Sequence, residues 1–431
     1  MNRYVITTET IGGQEYRISA LYDEKKRMIE ALPQKLGEED RPAVGNIYIG
    51  RVENVVKNLN AAFVKISPTQ NCYLSLEDVK HPVFTKKISG EKKLLAAGDE
   101  LLVQVVREAL KTKEPAITTN LSMTGTYAVL TSGNRKMSVS QKLTKDIRRH
   151  YKELLAQWLS EENGYGVIIR TNAGDVPEET VRIEIEELKR TYAQMAETAR
   201  HKTCYSLLYR EESAAMKHLR DLRYDCLEEI VTDDGALFAE ICKRYGIPEE
   251  RLTTGGSVPV PVDTVVADCG VRICYYRDEL LSLSALYGVK SQLEAALRER
   301  VWLRSGAYLV IQPTEALTVI DVNTGKNIAK KDAQENFLKI DQEAAVEIAR
   351  QLRLRNISGI IVVDFINLVS EAAREELVRT FRAALKSDPV PAQLIDITKL
   401  GLVEVTRKKV RKPLFESLEI SSKINIKKQL T

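Results

Sequence analysis

Two apolar segments of this chain each end on an aspartate, and the stretch between them has the spacing of a helix. The first segment is ALTVIDVNTGK (316–326), and the second is GIIVVDFINL (359–368). The stretch between them places apolar residues at helical intervals: Phe337, Ile340, Ala344, Ala345, Ile348 and Leu352. Asn356 and Gly359 are of the types that end helices. A strand, a crossover helix and a strand predict two parallel strands that are close neighbours.

The aspartates at the ends of these strands, Asp321 and Asp364, are then expected at one edge of the sheet. Strand spacing places them roughly 5–10 Å apart, depending on whether another strand intervenes. Two carboxylates this close repel each other unless a cation lies between them. Because no His or Cys is nearby, the oxygen ligands favour Mg²⁺ or Mn²⁺. Asn323 faces the same way as Asp321 and could orient a water or that aspartate.

Two other interpretations of the aspartates are open at this point. An aspartate at a strand end also caps the loop or helix that follows it. The pattern is also similar to the Mg²⁺-binding strand of P-loop ATPases. However, the chain contains no GxxxxGK(S/T) motif, since Asn327 follows Gly325 and Lys326. An ATPase is therefore disfavoured.

Length and composition predict a soluble cytoplasmic protein of several domains. The chain has 431 residues, more than one ordinary core requires. It contains no apolar run of membrane-spanning length, and its N-terminus lacks the apolar core of a signal peptide. The six cysteines form no CxxC pair, which predicts reduced thiols and no structural zinc site.

The net charge is only +4, but basic residues are concentrated after position 400. From Gly401 to the end there are eight Lys or Arg against three Glu, and Arg407 is the first of the eight. We interpret residues 406–431 as a basic C-terminal tail. Such a tail suits a polyanion, and a solvated terminal segment explains the composition equally well.

The N-terminal third predicts closely spaced strands. Two short strands are expected around Gly12 and Gly13, and residues 39–122 then have the strand order of an S1-type OB barrel, a module that binds single-stranded RNA. In such a barrel Phe63 and Tyr73 would stack on bases and Lys113 would contact phosphate. The alternative is that both aromatic residues fill the barrel core.

Two further segments have distinctive patterns. GVIIRTNAGD carries Arg170 and Thr171 from a strand into a loop, ahead of a long helix that begins near Pro177. An arginine and a hydroxyl at a strand end can bind phosphate, although the pattern by itself favours an ordinary surface pair. Residues 279–303 have a helical pattern and are predicted as a helix.

Five long motifs resemble the ribonuclease E/G family, and its ribonuclease G branch most of all. They are NIYIGRVENVVKNLNAAFVKI, GVIIRTNAGD, TEALTVIDVNTGK, EIARQLRLRNISGIIVVDFINL and LGLVEVTRKKVRKPL, in the family's order. The resemblance covers residues 1–413. It implies an α+β multidomain fold with four parts, and the basic tail (406–431) follows them. The four parts are an RNase H-like subdomain (1–38 and 215–280), an S1 barrel (39–122), a 5′-sensor region (123–214) and a DNase I-like α/β catalytic subdomain (281–405).

The resemblance also implies an activity and a set of site residues. The activity is Mg²⁺-dependent endonucleolytic cleavage of single-stranded, A/U-rich RNA with a preference for 5′-monophosphate ends, in the processing and decay of rRNA, tRNA and mRNA. Asp321 and Asp364 would hold Mg²⁺, or Mn²⁺, with Asn323 in support. Arg170, Thr171, Gly125 and Val129 would bind the 5′-phosphate. Phe63, Tyr73 and Lys113 would line the surface that holds the single strand.

The chain departs from the family pattern in several places. No CPxC follows TRKKVRKPL, so neither zinc nor the family's zinc-linked dimer is expected. Ser140-Gln141-Lys142 replaces a Ser-Arg-Arg, and Ile340-Asp341-Gln342-Glu343 replaces Thr-Asn-Leu-Glu. Asn367 stands where DFID has its last aspartate. A non-catalytic or weakly active RNA-binding member of the family is therefore the alternative function.

Overall fold

The computed structural model describes residues 2–37, 42–88, 94–108, 114–159, 164–222, 227–248, 262–325 and 333–419. The chain forms two compact units. One unit combines Met1–Glu38 with Tyr224–Thr431, and the other is Glu39–Arg223. The first unit is therefore assembled from two stretches that are far apart in the chain.

The N-terminal stretch forms three antiparallel strands: β1 (Asn2–Ile11), β2 (Gln14–Tyr22) and β3 (Met28–Lys35). The two strands predicted around Gly12 and Gly13 are confirmed. Strand β3 was not predicted, and its Pro33 weakens the strand pattern. Because β3 lies at the edge of its sheet, the proline is tolerated there.

The second unit begins with a small barrel. Its strands are β4 (Ile47–Val56), β5 (Ala61–Lys65), β6 (Asn71–Ser75), β7 (Phe84–Lys86), β8 (Glu100–Arg107) and β9 (Ala116–Thr118). Strands β4, β5, β6, β9 and β8 pair in a ring that the β4–β8 pairing closes. Aliphatic side chains such as Val52, Val64 and Leu74 fill the inside. The predicted barrel is confirmed, and its closure is that of an OB-like module.

The rest of this unit is a four-stranded sheet with helices. The elements are β10 (Ser122–Thr124), β11 (Ala128–Thr131), β12 (Ser138–Val139), α1 (Lys145–Trp158), β13 (Gly166–Ile169), α2 (Glu178–Ala199), β14 (Leu207–Tyr209) and α3 (Ala214–Asp221). Strands β10, β11, β13 and β12 make the sheet, whereas β14 pairs with β4. The predicted long helix is α2, and it starts directly after Pro177.

The chain then returns to the first sheet. The returning elements are β15 (Leu227–Thr232), α4 (Gly235–Arg244), β16 (Val262–Val266) and β17 (Arg272–Tyr276). Strand β15 pairs in parallel with β1, and the resulting strand order is β16-β17-β15-β1-β2-β3. Two distant stretches of sequence thus share one six-stranded sheet.

Residues 279–303, predicted as helical, contain α5 (Leu283–Leu286), α6 (Val289–Leu297) and the strand β18 (Arg300–Trp302). The prediction is wrong at two places. Gly288 adopts a left-handed conformation with φ of 57°, which separates the two helices. Strand β18 pairs with β19 (Tyr308–Pro313), so sheet pairing overrides the helical pattern of these residues.

The remaining described elements complete a second six-stranded sheet. They are β20 (Leu317–Asn323), α7 (Ala333–Leu354), β21 (Gly359–Asp364), α8 (Glu371–Lys386), β22 (Ala392–Ile397), β23 (Val403–Arg407) and α9 (Leu414–Ser417). The strand order is β18-β19-β20-β21-β23-β22. Helices α7 and α8 cover one face, where Ile320, Ile348, Ile361 and Phe381 belong to one buried core. The predicted strand–helix–strand unit is confirmed.

The opposite face of this sheet is exposed, and we call it the open face. Val319 and Ile360 lie on it and are 38% and 53% exposed.

Helix α7 is followed by Asn356, which has the left-handed φ of 49° expected of a helix-ending residue. In the part of the chain that the structure describes, no helix is both long enough and apolar enough to cross a membrane.

Arg407 corrects the interpretation of the basic tail. Its side chain is buried at the end of β23, where its Nε donates to Asp388 Oδ2 at 2.8 Å. Its Nη1 donates to Asn356 Oδ1 at 2.9 Å and to the Ile357 carbonyl oxygen at 3.1 Å. Arg407 is therefore a structural residue and is not available to a polyanion. Residues 420–431, with the last three lysines of the tail, lie outside the described residues.

We expect Arg407→Met to lower the free energy of unfolding by about 3–5 kcal/mol, because Asp388 would stay buried without its partner. Urea titration followed by circular dichroism measures this loss. The control is Lys339→Met, which removes one half of an exposed ion pair with Glu335 and should cost less than about 1 kcal/mol. A similar small loss for both variants would contradict the structural role of Arg407.

Candidate active site

Asp321 and Asp364 lie side by side. Strands β20 and β21 pair in parallel, and the register that joins Leu317 to Ile360 ends with Asp321 opposite Asp364. The two strands are direct neighbours, so the shorter of the two expected separations applies, about one strand spacing of 4.8 Å. The strand ends therefore bring two carboxyl groups to one place on the sheet.

Both carboxylates are on the open face. Asp321 and Asp364 are exposed, whereas the preceding residues Ile320 and Val363 are fully buried. Because side chains alternate along a strand, the burial of these neighbours under α7 and α8 directs the two aspartates to solvent. The core that fixes the sheet also fixes the direction of the candidate ligands.

Asn323 contacts Asp321 directly. Its Nδ2 donates a hydrogen bond to Asp321 Oδ2 at 2.6 Å. The two residues are separated by the buried Val322, so both side chains point to the open face. The bond holds one carboxylate oxygen of Asp321 and thereby sets the direction of the other.

The donor set fits Mg²⁺. Asp321, Asp364 and Asn323 offer only oxygen ligands, which hard cations prefer. Among the residues that the structure describes, no group of three or more His, Cys, Asp or Glu could hold a metal. One or two carboxylates, completed by water and substrate phosphate, are the usual way in which Mg²⁺ is bound at phosphate-transfer sites. The exposure of the two aspartates leaves room for both.

Asp341 of α7 supports the segment that follows Asp364. The side chain is completely buried, and its Oδ1 accepts a hydrogen bond from the Ile366 backbone N–H at 3.1 Å. Its Oδ2 is buried and has no hydrogen-bond partner among the described residues. Burial raises the pKa of Asp341 to about 7, and the hydrogen bond from Ile366 opposes this rise. Asp341 therefore positions the chain two residues beyond a candidate ligand.

Glu343, on the same helix, holds the turn between β18 and β19. Its carboxylate accepts hydrogen bonds from the backbone N–H groups of Arg304 at 2.8 Å and Ser305 at 3.2 Å. Gly325, just after β20, lies against this turn, and a Cβ there would be 2.3 Å from the Gly306 carbonyl oxygen. Glycine is therefore required at 325, and α7 supports the sheet on both sides of the two aspartates.

The second unit contains Arg170 and Thr171, the residues expected to bind a 5′-phosphate. Arg170 Nη1 donates to the carbonyl oxygens of Gly125 at 2.7 Å and Thr126 at 3.2 Å. The hydroxyls of Thr171 and Ser140 are 2.9 Å apart. Val129 lies on β11, opposite Ile168 of β13. The structure thus brings Arg170 and Gly125 into contact and places Thr171 at the next position of the chain.

Two acidic residues that sequence reasoning missed complete this arrangement. Glu184 of α2 accepts hydrogen bonds from three successive backbone N–H groups, those of Thr126, Tyr127 and Ala128, at 2.6–2.9 Å. A Cβ on Gly125 would be 2.5 Å from the Glu184 carboxyl carbon, so glycine is needed there. Asp221, at the end of α3, accepts from Arg170 Nη2 at 2.6 Å and is half exposed.

The barrel aromatics lie outside the barrel core. Phe63 and Tyr73 face each other across β5 and β6, with ring centroids 6.4 Å apart in an edge-to-face arrangement. Their neighbours Ala62, Val64 and Leu74 are the ones buried inside. The interpretation that these aromatics fill the core is therefore wrong. Lys113 lies outside the described residues.

The chain matches the model of a known family. A family model described as the ribonuclease E/G family matches residues 122–410, a span that includes Arg170 and both candidate metal ligands. The chain belongs to the ribonuclease E/G family.

Named relatives in the ribonuclease E/G family come from both of its branches. A ribonuclease E from Synechocystis sp. is 33% identical over 405 residues, which are 94% of this chain and 57% of the relative. Ribonuclease G of Salmonella typhimurium is 31% identical over 385 residues, which are 87% of this chain and 74% of the relative. Ribonuclease G of Escherichia coli K12 is 31% identical over 388 residues, which are 88% of this chain and 75% of the relative. The chain thus spans little more than half the length of the ribonuclease E relatives it matches.

The strand pattern singled out Asp321, Asp364, Asn323 and Arg170, and the family resemblance gave Arg170 its role, but neither could reveal Glu184 or Asp221. Glu184 is one of several glutamates in IEIEELKR, and Asp221 lies in an ordinary charged helix end. Nothing in their local sequence distinguishes them, because only the fold brings the backbone N–H groups of 126–128 to Glu184 and the Arg170 guanidinium to Asp221. Asp341 was visible only as a departure from the family's asparagine.

We expect Asp341→Asn, which restores the family residue, to stabilise the protein more at pH 8 than at pH 5. The folded-state pKa of Asp341 is raised from 3.8 to about 7. Its contribution to stability is therefore complete below the unfolded pKa and is lost as the pH rises through about 7. Urea titrations of both proteins at the two pH values measure the effect. A stability difference that does not change with pH would contradict it.

Proposed function

We propose that this chain is a Mg²⁺-dependent endoribonuclease that cleaves single-stranded, A/U-rich RNA and favours 5′-monophosphate ends. Its place would be in the cytoplasmic processing and decay of rRNA, tRNA and mRNA. The observation that carries the proposal is the in-register pair of exposed carboxylates, Asp321 and Asp364, in a chain of the ribonuclease E/G family. An oxygen-only pair on an exposed sheet face suits a hydrated cation that must also contact a phosphate.

Each residue of the carboxylate site has a distinct task in this proposal. Asp321 and Asp364 would hold the cation between them, and Asn323 keeps Asp321 oriented through its 2.6 Å hydrogen bond. When bound, Mg²⁺ would neutralise charge on the scissile phosphate and activate water for in-line attack, leaving a 5′-phosphate and a 3′-hydroxyl. Asp341 would keep the segment after Asp364 in place through the Ile366 N–H.

Arg170 is the proposed receptor for the 5′-phosphate. A guanidinium binds phosphate through charge-assisted hydrogen bonds. The hydroxyl of Thr171, the next residue, lies 2.9 Å from that of Ser140, and both could donate as well. Arg170 Nη2 donates a hydrogen bond to the Asp221 carboxylate, an anion with a smaller negative charge than a 5′-phosphate. A 5′-phosphate would therefore compete with Asp221 for the same N–H group.

The barrel surface around Phe63 and Tyr73 is the proposed platform for the single strand. Both rings are partly exposed and lie on the outer face of β5 and β6, next to Lys65 on the same strand face. Aromatic rings beside a basic side chain are the common means of holding single-stranded nucleic acid without strong sequence preference.

We expect Asp321→Asn and Asp364→Asn each to lower RNA cleavage by about 100-fold or more, with little change in RNA affinity. The test is cleavage of a short 5′-monophosphorylated A/U-rich RNA in Mg²⁺ and in EDTA, with circular dichroism as a check on folding. Asp396→Asn, an exposed carboxylate on β22 of the same sheet, is the matched control and should cut normally.

Near-normal cutting by either active-site variant would refute the metal assignment. A wild-type protein that binds this RNA but does not cut it under any Mg²⁺ condition would favour the non-catalytic alternative. A wild type that neither binds nor cuts would remove both functions.

We expect Arg170→Ala to abolish the preference for 5′-monophosphate over 5′-hydroxyl RNA, a change of about tenfold. Asp221→Asn should have the opposite effect and raise the preference about two- to five-fold, because an exposed ion pair contributes at most about 1 kcal/mol. The ratio of kcat/KM for the two RNAs is the measurement. Glu197→Gln removes another exposed carboxylate, paired with Arg200 at 3.3 Å, and should leave the ratio unchanged. An Asp221→Asn ratio at or below the wild-type value would show that Asp221 does not compete.

A further inference from the structure

Three side chains beside the two aspartates have no role in the function proposed so far. They are Arg300 and Trp302 of β18 and Tyr308 of β19. Trp302 is 64% exposed, which is unusual for a side chain of this size. Arg300 is also exposed, and Tyr308 is half-buried. The neighbouring Leu303 and Leu309 are the residues that enter the core of this sheet.

The strand register places this cluster on the open face. Trp302 pairs with Tyr308, and Tyr308 pairs with Asn323, so the three side chains form one row across the sheet. In the adjacent row Arg300 pairs with Val310, Val310 with Asp321, and Asp321 with Asp364. Directly paired residues project from the same face. Tyr308 is therefore about one strand spacing, 4.8 Å, from Asn323, and Trp302 is about two.

The cluster is arranged as a stacking surface. The rings of Trp302 and Tyr308 are tilted, with centroids 5.1 Å apart. The Arg300 guanidinium carbon lies 4.5 Å from the Tyr308 centroid and 5.8 Å from the Trp302 centroid. Aromatic rings supply a stacking face for any nucleobase, and an arginine adds a positive charge for the adjoining phosphate.

We propose that Arg300, Trp302 and Tyr308 bind the base of a nucleotide next to the phosphate that is cut. The proposal rests on the proposed endoribonuclease function, because it takes the site of Asp321 and Asp364 as the place of cleavage. Stacking is tolerant of base identity, so the cluster would hold the strand in position and would not select a sequence. Its distance of one to two strand spacings from Asn323 suits a nucleotide that flanks the cut.

The first experiment detects the base at Trp302 without using activity. The chain has two tryptophans, so Trp158→Phe leaves Trp302 as the only one. In EDTA, single-stranded RNA should quench the fluorescence of this variant, because a stacked base lies against the indole ring. The same ribose-phosphate strand without bases should bind with little quenching. Equal fluorescence with and without RNA, under conditions where anisotropy of labelled RNA shows binding, would overturn the proposal.

The second experiment locates the base relative to the cut. Substrates each carry one abasic nucleotide at successive positions on either side of the cleavage site. In the wild type, an abasic nucleotide at one flanking position should lower kcat/KM on the order of 10- to 100-fold. In Trp302→Ala the abasic nucleotide at that position should no longer lower kcat/KM. In Trp302→Phe it should again lower kcat/KM, nearly as much as in the wild type. The loss of coupling at one position is a readout that a general destabilisation would not produce.

The matched control is Tyr275→Ala, which removes a ring beneath Arg277 on the first sheet, 5.1 Å from the guanidinium carbon. It should retain the wild-type abasic profile. An identical abasic profile in wild type and Trp302→Ala would overturn the placement beside the cut, even if quenching is observed. A protein that shows quenching but no cleavage would refute the endoribonuclease function while keeping base binding at Trp302, so the two failures are distinguishable.

Discussion

The parallel pairing of β20 with β21 is the constraint on which the candidate active site depends. It sets Asp321 opposite Asp364, and it also aligns the buried residues Ile320 and Val363 that hold both strands against the helices. A slip of one residue in either strand would move its aspartate to the helix-covered face and its aliphatic side chains to solvent. The cost of exposing that core therefore protects the geometry of the carboxylates.

Helix α7 connects the two strands and also supports the site they form. Its apolar side chains make the crossover possible, since they cover the sheet between β20 and β21. Its polar residues Asp341 and Glu343 reach the backbone on either side of the aspartates. Asp341 does so as a buried carboxyl whose pKa is raised to about 7. A buried carboxyl that lowers the stability of the folded protein is thus retained next to the site it positions. Such a compromise is common where function and stability compete.

In the proposed function the two units would use different chemistry, one at the phosphate that is cut and the other at the 5′ end of the RNA. The open face of the second six-stranded sheet combines carboxylates with an adjacent aromatic and cationic row, which we propose to bind a cation, a phosphate and a base. The Arg170 site is built largely from backbone groups, since carbonyl oxygens hold the guanidinium and Glu184 holds the N–H groups of the same loop. Arg170 also forms an ion pair with the half-exposed Asp221.

The sequence by itself determined the β20–α7–β21 unit, the small barrel, the start of α2 and the location of both aspartates at strand ends. These features depend on local periodicity, on capping residues and on the direction that a crossover imposes, all of which are written in neighbouring residues. Tertiary structure alone decided that β18 is a strand and that Arg407 is buried. It also decided that Glu184, Asp221 and Trp302 lie beside the residues of the two candidate sites. The physical reason is the same in each case: the partner that decides the residue's conformation or role lies outside its local segment, and pairing or burial against it outweighs local propensity.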